Sequence, residues 1–516
     1  MPKLVVIGSG IGGLASAALF AREGYEVTVL EQHTDLIGGQ ARTISVDGFE
    51  FCMGPQYCWS FGPGDEGDLF LSHLGIKADA PFKLMESVGF ETVFIGDRGQ
   101  AALDAYEVPM GLERFEAAMC QWFPQDARGL REMFRDIAEI YGAVRYFQRR
   151  AYGRHGSRRG NLRLLCDPAV KLSTKAKLIR CKTRTLGQFF DGYGLGDKAR
   201  RILYGNGPIF CENESDLSSL LFVMATGHFH RGAYIPERGF SSLFGAIKNA
   251  LERDGGQIRL GKKVTSLEVK GDGIGRVICE DGDAFACDVI LSDISPRLTN
   301  ELLPAAYRRS FDYEPSHSLS AVCFTVDQKL SSAQLMRGRN FWWQDGIGEV
   351  KFKNVDVFAA PQSLFVTSPT ANGFGGLAGD ASSQSVVAFY PGNFEQERLL
   401  KDEGPNVVEC FKSKVTANVA AIIDRNILAG FSEAVRSSHV VSTLDIHHQT
   451  LSEAGNVYAK RMDLANHRRR FVDDKRLSNL YNVSAFKHGP GIINGMRGAM
   501  DLAEDLLGLR IMPRPV

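Results

Sequence analysis

Nowhere in this sequence do eighteen or so apolar residues run on without a charge or a breaker, so a membrane-crossing helix is not expected. The ten cysteines form no CxxC pair and are scattered without the spacing of metal ligands. In a chain of 516 residues that pattern reads as reduced, mostly buried thiols in a cytoplasmic protein, not as a disulfide framework. An excess of either charge is also missing. Lys+Arg and Asp+Glu stand at 60 each, which removes any global field favouring nucleic acid or an acidic partner. The apolar start, Leu4 to Phe20, is broken by Gly8, Gly10, Gly12 and Gly13 and preceded by Lys3 as its one basic residue, unlike a secretory leader. Internal repeats and low-complexity tracts are lacking as well. The remainder has the balance of an ordinary globular protein, long enough for two or three substructures.

The N-terminus carries the clearest signal. Leu4-Val5-Val6-Ile7 reads as a buried parallel strand, Leu14 to Glu23 as a helix stopped by Gly24, and Tyr25 to Glu31 as a second strand. Between them lies Gly8-Ser9-Gly10-Ile11-Gly12-Gly13, a G-x-G-x-x-G turn. Its first glycine permits the tight turn, its second lets backbone approach a pyrophosphate, and its third packs helix on strand. Amides of the helix N-terminus then face the phosphates. Glu31, with Gln32 after it, ends the second strand where a carboxylate can accept from ribose hydroxyls. Strand, turn, helix and acid in register predict a Rossmann-type dinucleotide site, and an α/β fold around it.

Further along, Asp104 to Gly194 reads as mainly helical. A second αβ block comes next: a helix over Leu243–Arg253 and strands at Gln257–Leu260, Lys263–Lys270, Gly275–Glu280 and Cys287–Leu291. Strand-like runs at Leu319–Val326 and Ser385–Tyr390 are expected to be separated by long polar loops. A last strand, Leu480–Val483, leads through a glycine-rich turn, His488 to Gly495, into a closing helix from Met496 to Leu507. Those glycines allow close backbone approach, and the helix offers its positive end to a ligand.

Several of these segments together resemble the FAD-dependent carotenoid (phytoene) desaturase, carotenoid isomerase and retinol saturase-like family, which is allied to flavin amine oxidases. The carriers are Gly38-Gly39-Gln40 with Arg42 after Glu31, then Gly48 to Tyr57 with Gly54-Pro55-Gln56-Tyr57, Gly232 to Pro236, Asp288-Val-Ile with Ser292, and Leu480 to Gly495. The match covers both ends and the centre; 104–200 and 300–440 align only as a pattern. Gln40 stands where the family has Arg, Cys52 where it has an acid, and Asn494 where it has proline. The resemblance implies FAD as cofactor. It implies contacts from the dinucleotide turn, from Glu31 and Gln32, and from the Gly38–Arg42 and Gly54–Tyr57 segments. Further contacts are implied at Val264 (a backbone contact to adenine), Ser292, Gly491, Ile492 and Asn494. It also implies desaturation, saturation or isomerisation of an apolar polyene or isoprenoid, with oxygen or a quinone as acceptor. Flavin N5 would take the hydride from a C–H held close to it. An amine-oxidase-type enzyme acting on a C–N bond is a second reading, and a flavin-free binding protein on the same scaffold a third.

For acid–base work the candidates are Tyr57, beside the flavin or merely packed there, and His488, at the mouth of the closing turn or only a cap. Cys52 is either a covalent attachment point or a small buried residue, the latter favoured. His228 and His230 form His-x-His without a third ligand nearby, so no metal is expected. Phe341 to Trp343, Phe222, Phe229 and Phe240 line an apolar tunnel or fill ordinary core. The stretch 145–184 is densely basic, with Arg149, Arg154, Arg158, Arg159, Arg163, Lys175 and Arg180 among others and Asp167 as its one acid. It is either a solvated helical face or a peripheral membrane contact through which a lipophilic substrate enters. The expected architecture is a discontinuous Rossmann-type FAD-binding domain (1–103, 230–300 and 455–516) with a mixed α+β substrate domain (104–229 and 301–454).

Overall fold

The computed structural model describes residues 1–96, 104–150, 167–205, 210–327, 336–346, 350–374, 383–469, 471 and 473–513. Its nucleotide-binding part is a five-stranded parallel sheet. Lys3–Ile7 lies at the centre, with Glu26–Leu30 and Gln257–Arg259 on one side and Val289–Ser292 and Leu480–Asn482 on the other. The chain therefore leaves the central strand in opposite directions across the sheet, and the crevice beyond its carboxyl end is where ligands bind in such sheets. Helix Ile11–Arg22 packs on this sheet with Leu14, Ala15, Ala18 and Leu19 fully buried. Helices Gly239–Arg253 and Ile492–Leu507 flank it on the same core.

A seven-stranded mixed sheet forms the second layer, in the order Val435–Val441, Leu319–Asp327, Ser383–Pro391, Ser363–Thr367, Asn340–Asp345, Glu91–Gly96 and Asp104–Val108. Glu91–Gly96 and Asp104–Val108 pair within it, so a division at residue 103 would cut this sheet. The expected helical character from Asp104 onward thus begins only at Leu112, after a strand. One face of the sheet carries Phe324, Phe341, Trp343 and Val366 against helix Pro405–Asn426. That helix lies beyond the strand-like run Ser385–Tyr390, in a stretch where the sequence led to no expected element. Its buried residues Phe411, Val415, Val419 and Ile423 recur every four positions, a spacing that lays one stripe on a sheet. The other face looks toward the helical layer, Leu112–Trp122, Ala127–Arg150, Leu172–Thr183 and Ser219–Arg231, which shares a core with Trp342 and Phe365.

A short hairpin, Thr43–Val46 and Phe49–Cys52, turns at Asp47-Gly48, both at positive φ, the type I′ geometry that an Asp-Gly pair favours. No helix among the described residues is long and apolar enough to cross a membrane. Much of the basic stretch, 151–166, lies outside the described residues. Helix Ala127–Arg150 ends on its N-terminal side, and helix Leu172–Thr183 begins on its C-terminal side.

Candidate active site

A cavity of about 410 Å³ joins the parallel sheet to the seven-stranded one. Gly8, Ser9, Gly10, Ile11 and Gly12 line its nucleotide end together with Glu31, Gln32, Gly38, Gly39, Gln40, Arg42 and Val264. The glycines are sterically required. A methyl on Gly12 would stand 2.1 Å from the carbonyl oxygen of Val483, and one on Gly13 would stand 2.5 Å from that of Gly8. Gly8 itself sits at φ 93°, where side chains are strained. Glu31 accepts from Ser9 N at 3.0 Å, Ser9 Oγ at 2.5 Å and His33 N at 3.0 Å, which fixes its carboxylate at the edge of the loop.

Arg42 is 2% exposed and lines the cavity. One arm donates to Gln449 Oε1, while its Nε has no hydrogen-bond partner among the described residues. Burial pushes its pKa down to about 10, with Cys52 and Asp445 acting in the opposite sense. A buried guanidinium with a spare donor beside a glycine cradle fits a diphosphate, so these residues suit a dinucleotide flavin. Lys262 and Lys263 line the same end, but Lys262 is paired with Asp281 and Asp283 and Lys263 with Glu280.

Gly54, Pro55, Gln56 and Tyr57 line the middle of the cavity, facing Gly489, Pro490, Gly491 and Ile492. Gln56 ties its own turn by donating to the carbonyls of Cys52 and Gly54. Gly491 caps the 16-residue helix Ile492–Leu507, whose Gly495 passes so close to Ile11 that a methyl there would meet its Cγ2 at 2.6 Å. Cys52 is buried beneath this wall and its thiol donates to the Ala41 carbonyl. Burial holds the thiol up at about 12. A protonated thiol outside the lining is a packing residue, not an attachment nucleophile.

The far end is aromatic. Tyr57 packs on Phe229 at 4.7 Å and on Phe365 at 6.3 Å between ring centroids. Trp342 meets Phe365 at 4.4 Å, and Trp59 meets Phe229 at 4.9 Å. The Tyr57 hydroxyl donates to Glu91 Oε1 at 2.5 Å, and burial followed by Glu91 raises its pKa well above 10. Every charged side chain on the described lining, namely Glu31, Arg42, Lys262, Lys263 and Asp293, belongs to the nucleotide end.

Some expected contacts fall elsewhere. The His488 ring lies against Gly498 of the closing helix, 2.5 Å from where a methyl would sit, and is not on the lining; its neighbours Gly489 to Gly491 are. Ser292 is buried against Thr299, their hydroxyls 2.6 Å apart. Asn494 donates back to the Pro490 carbonyl at 2.7 Å, and Gly13 serves helix packing. Residues i and i+2 on a helix point apart, and His228 and His230 do so: one stacks on Trp59 and the other on Phe115. Burial lowers both to about 3, and no metal-binding group occurs among the described residues. Of the aromatic candidates, Phe229 and Trp342 reach the cavity, whereas Phe222, Phe240, Phe341 and Trp343 fill core. Phe365, Phe389, Trp59 and Asp293 line it without having been singled out. The first two sit on strands whose inward face depends on pairing partners, which a single run of sequence does not reveal.

A family model for flavin-containing amine oxidoreductases matches residues 11–369. The chain is 24% identical over 535 residues to phytoene desaturase (lycopene-forming) of Pantoea ananas, covering 98% of this chain and 100% of that one. It is 27% identical over 325 residues to all-trans-retinol 13,14-reductase of Rattus norvegicus, covering 59% of this chain and 49% of the rat protein. It thus spans about half the length of that relative. Among solved structures, a wild-type putrescine oxidase bound to putrescine superposes with TM-score 0.62 at 14% identity over 98% of this chain and 99% of that one. An oxidoreductase from Methanosarcina mazei superposes with TM-score 0.61 at 16% identity, over 97% and 100%. At those identities the superpositions speak to the fold.

Proposed function

The chain belongs to the flavin-containing amine oxidoreductases, and from that premise we propose that this FAD-dependent oxidoreductase desaturates, saturates or isomerises an apolar polyene or isoprenoid. The observation that carries this reading is the distribution of charge in the cavity. Its ionic groups gather at the nucleotide end, and the far end presents Tyr57, Trp59, Phe229, Trp342, Phe365 and Phe389. A conjugated chain lies well against such rings. An alkyl diamine would leave an ammonium group in an apolar slot without a carboxylate on the wall, which is costly. The names of the desaturase and reductase relatives support the same class of substrate.

When bound, FAD supplies a hydride acceptor or donor at N5. The chain's own part is to hold and to exclude. The glycine turn, Glu31 and Arg42 bind the dinucleotide, and the aromatic end keeps water from the reacting carbons. Tyr57 contacts substrate with its ring, because its proton is committed to Glu91 and it is a poor base. The two tasks share segments: Tyr57 and Trp59 of the aromatic end come from the same N-terminal stretch (1–103) that carries the glycine turn, Glu31 and Arg42.

The substrate part also carries a surface suited to lipid. On helix Leu172–Thr183, Leu172, Ala176, Ile179 and Thr183 form an exposed stripe at i, i+4, i+7 and i+11, flanked by Lys171, Arg180 and Lys182. Leu172 is 82% exposed and Ile179 51%. An apolar stripe with basic flanks suits the surface of an anionic bilayer. This helix packs on Ser219–Arg231, which contributes Ala225 and Phe229 to the cavity, so lipid contact and substrate entry would share one side of the molecule.

The test is anaerobic mixing of the holoprotein, in the oxidised yellow form and separately after reduction with dithionite, with retinol, with a C40 hydrocarbon polyene and with putrescine, each followed by product chromatography. Conversion of a polyene is the expected result. Bleaching of the flavin by putrescine, with every polyene returned unchanged, would overturn the reading in favour of C–N oxidation.

A further inference from the structure

The groove between Lys3–Ile7 and Val289–Ser292 contains a carboxyl group that the dinucleotide site does not obviously need. Asp293 follows the fourth strand of the parallel sheet, its N–H bonded to the Ile7 carbonyl at 2.9 Å. Its side chain is pressed into the glycine turn. A methyl on Gly10 would lie 2.4 Å from Oδ2, and one on Gly12 would lie 2.8 Å from Oδ1. Oδ2 is fully buried and has no hydrogen-bond partner among the described residues. The carboxyl thus occupies the N-terminal end of the 12-residue helix Ile11–Arg22, the place where that helix offers its positive pole to a diphosphate.

Two anions cannot both take one helix end at low cost. We infer that Asp293 is a cofactor-linked acid: the diphosphate of FAD binds the glycine turn only while the Asp293 carboxyl is neutral, and flavin binding takes up a proton there when the carboxyl starts ionised. The inference rests on the FAD reading of the cavity. The surroundings favour it. The glycine turn and the Val483-Ser484 bend bring no ionisable group to Asp293, and the charged side chain that bears on it is Glu31, a second anion. Burial, with Glu31 adding to it, raises the carboxyl to about 8, while the amides of Gly13 and Gly10 pull the other way. A bound diphosphate adds negative charge and raises it further.

Linkage sets the sign. Below its free value the acid is already neutral and FAD affinity is at its plateau. As pH climbs past that value, the binding-competent fraction falls, and at pH 9 about one molecule in ten remains competent. The apparent Kd for FAD therefore rises about tenfold between pH 6.5 and 9.

The experiment dilutes full-length FAD-loaded protein at a series of pH values and reads released FAD by its fluorescence. Wild type should lose affinity about tenfold across this range, and Asp293→Asn, which keeps the shape but cannot ionise, should stay flat. Asp293→Ser is a second neutral variant in case the amide disturbs the turn, and should also be flat. The flavin's own titration is common to all three proteins and cancels. A wild-type Kd without pH dependence, or neutral variants with the wild-type slope, would overturn the inference while leaving FAD binding intact. Failure to hold FAD at any pH would overturn the cofactor reading and this inference with it.

Discussion

At Gly12 an added methyl has no room, since it would meet the backbone oxygen of Val483 at 2.1 Å, and backbone cannot rotate away as a side chain can. Gly12→Ala should therefore spread the helix from the last strand. A loss of about 1–3 kcal/mol of stability and a colourless purified protein are expected, checked by thermal melting and an absorption spectrum. Tyr57 gives a contrasting case. Its phenol is bonded to buried Glu91, so Tyr57→Phe should cost about 1–3 kcal/mol through the under-bonded carboxylate yet leave turnover within a few-fold. Tyr57→Ala, which also deletes the ring facing Phe229 and Phe365, should raise KM for an apolar substrate severalfold. Steady-state kinetics on the two variants separates ring from hydroxyl; a collapse of kcat in Tyr57→Phe would restore an acid–base role.

Elements show where sequence reasoning reached and where it stopped. The dinucleotide turn was legible because its chemistry is local: Gly8 to Gly13 and Glu31 are bound by short spacing, and strand and helix periods change at the turn. The helix Pro405–Asn426 was missed because its apolar stripe is one residue wide and diluted by polar positions, although Pro405 at its first turn is a start signal. For His488 the structure favours the packing alternative over a place in the cavity. Its loop does line the cavity, but the ring's direction is set by Gly498, ten residues away on a helix that folds back over it. Helix Leu172–Thr183 offers a test at this scale. Replacing Leu172 and Ile179 with Ser removes the exposed apolar stripe without touching the buried face of Thr174, Leu178 and Cys181. In liposome flotation with anionic vesicles at low salt, wild type should float and the double variant should stay largely at the bottom; equal flotation would assign these residues to solvent.

At the scale of the whole molecule, a buried charge network links the nucleotide part to the helical layer. Glu66 bonds Arg497 of the closing helix at 2.6 Å and lies 3.8 Å from Arg145 of the long helix, while Asp65 meets Arg231 at 2.8 Å. Burial alone would raise the Glu66 carboxyl, but Arg497 and Arg145 outweigh it and hold it near 2. A depressed pKa contributes stability above the ordinary carboxylate value and loses it as pH falls below that value. Between about pH 4.5 and 2 the network should give up roughly 3 kcal/mol. Glu66→Gln should melt lower than wild type at pH 7, and the gap should shrink by more than half at pH 3 and close only near pH 2; a constant gap would show that the charge is not what matters.

The parallel sheet has a consequence for how the protein is made. Its central strand is complete at Ile7, yet the neighbour that closes the far edge begins only at Leu480, and Val483, which abuts Gly12, comes later still. During synthesis the glycine turn therefore leaves the ribosome long before the backbone that buries it, and at roughly 5–20 residues per second it waits on the order of tens of seconds. The packing of the turn is thus a property of the finished chain: the N-terminal strand, turn and helix alone lack the backbone of Val483 that closes against Gly12.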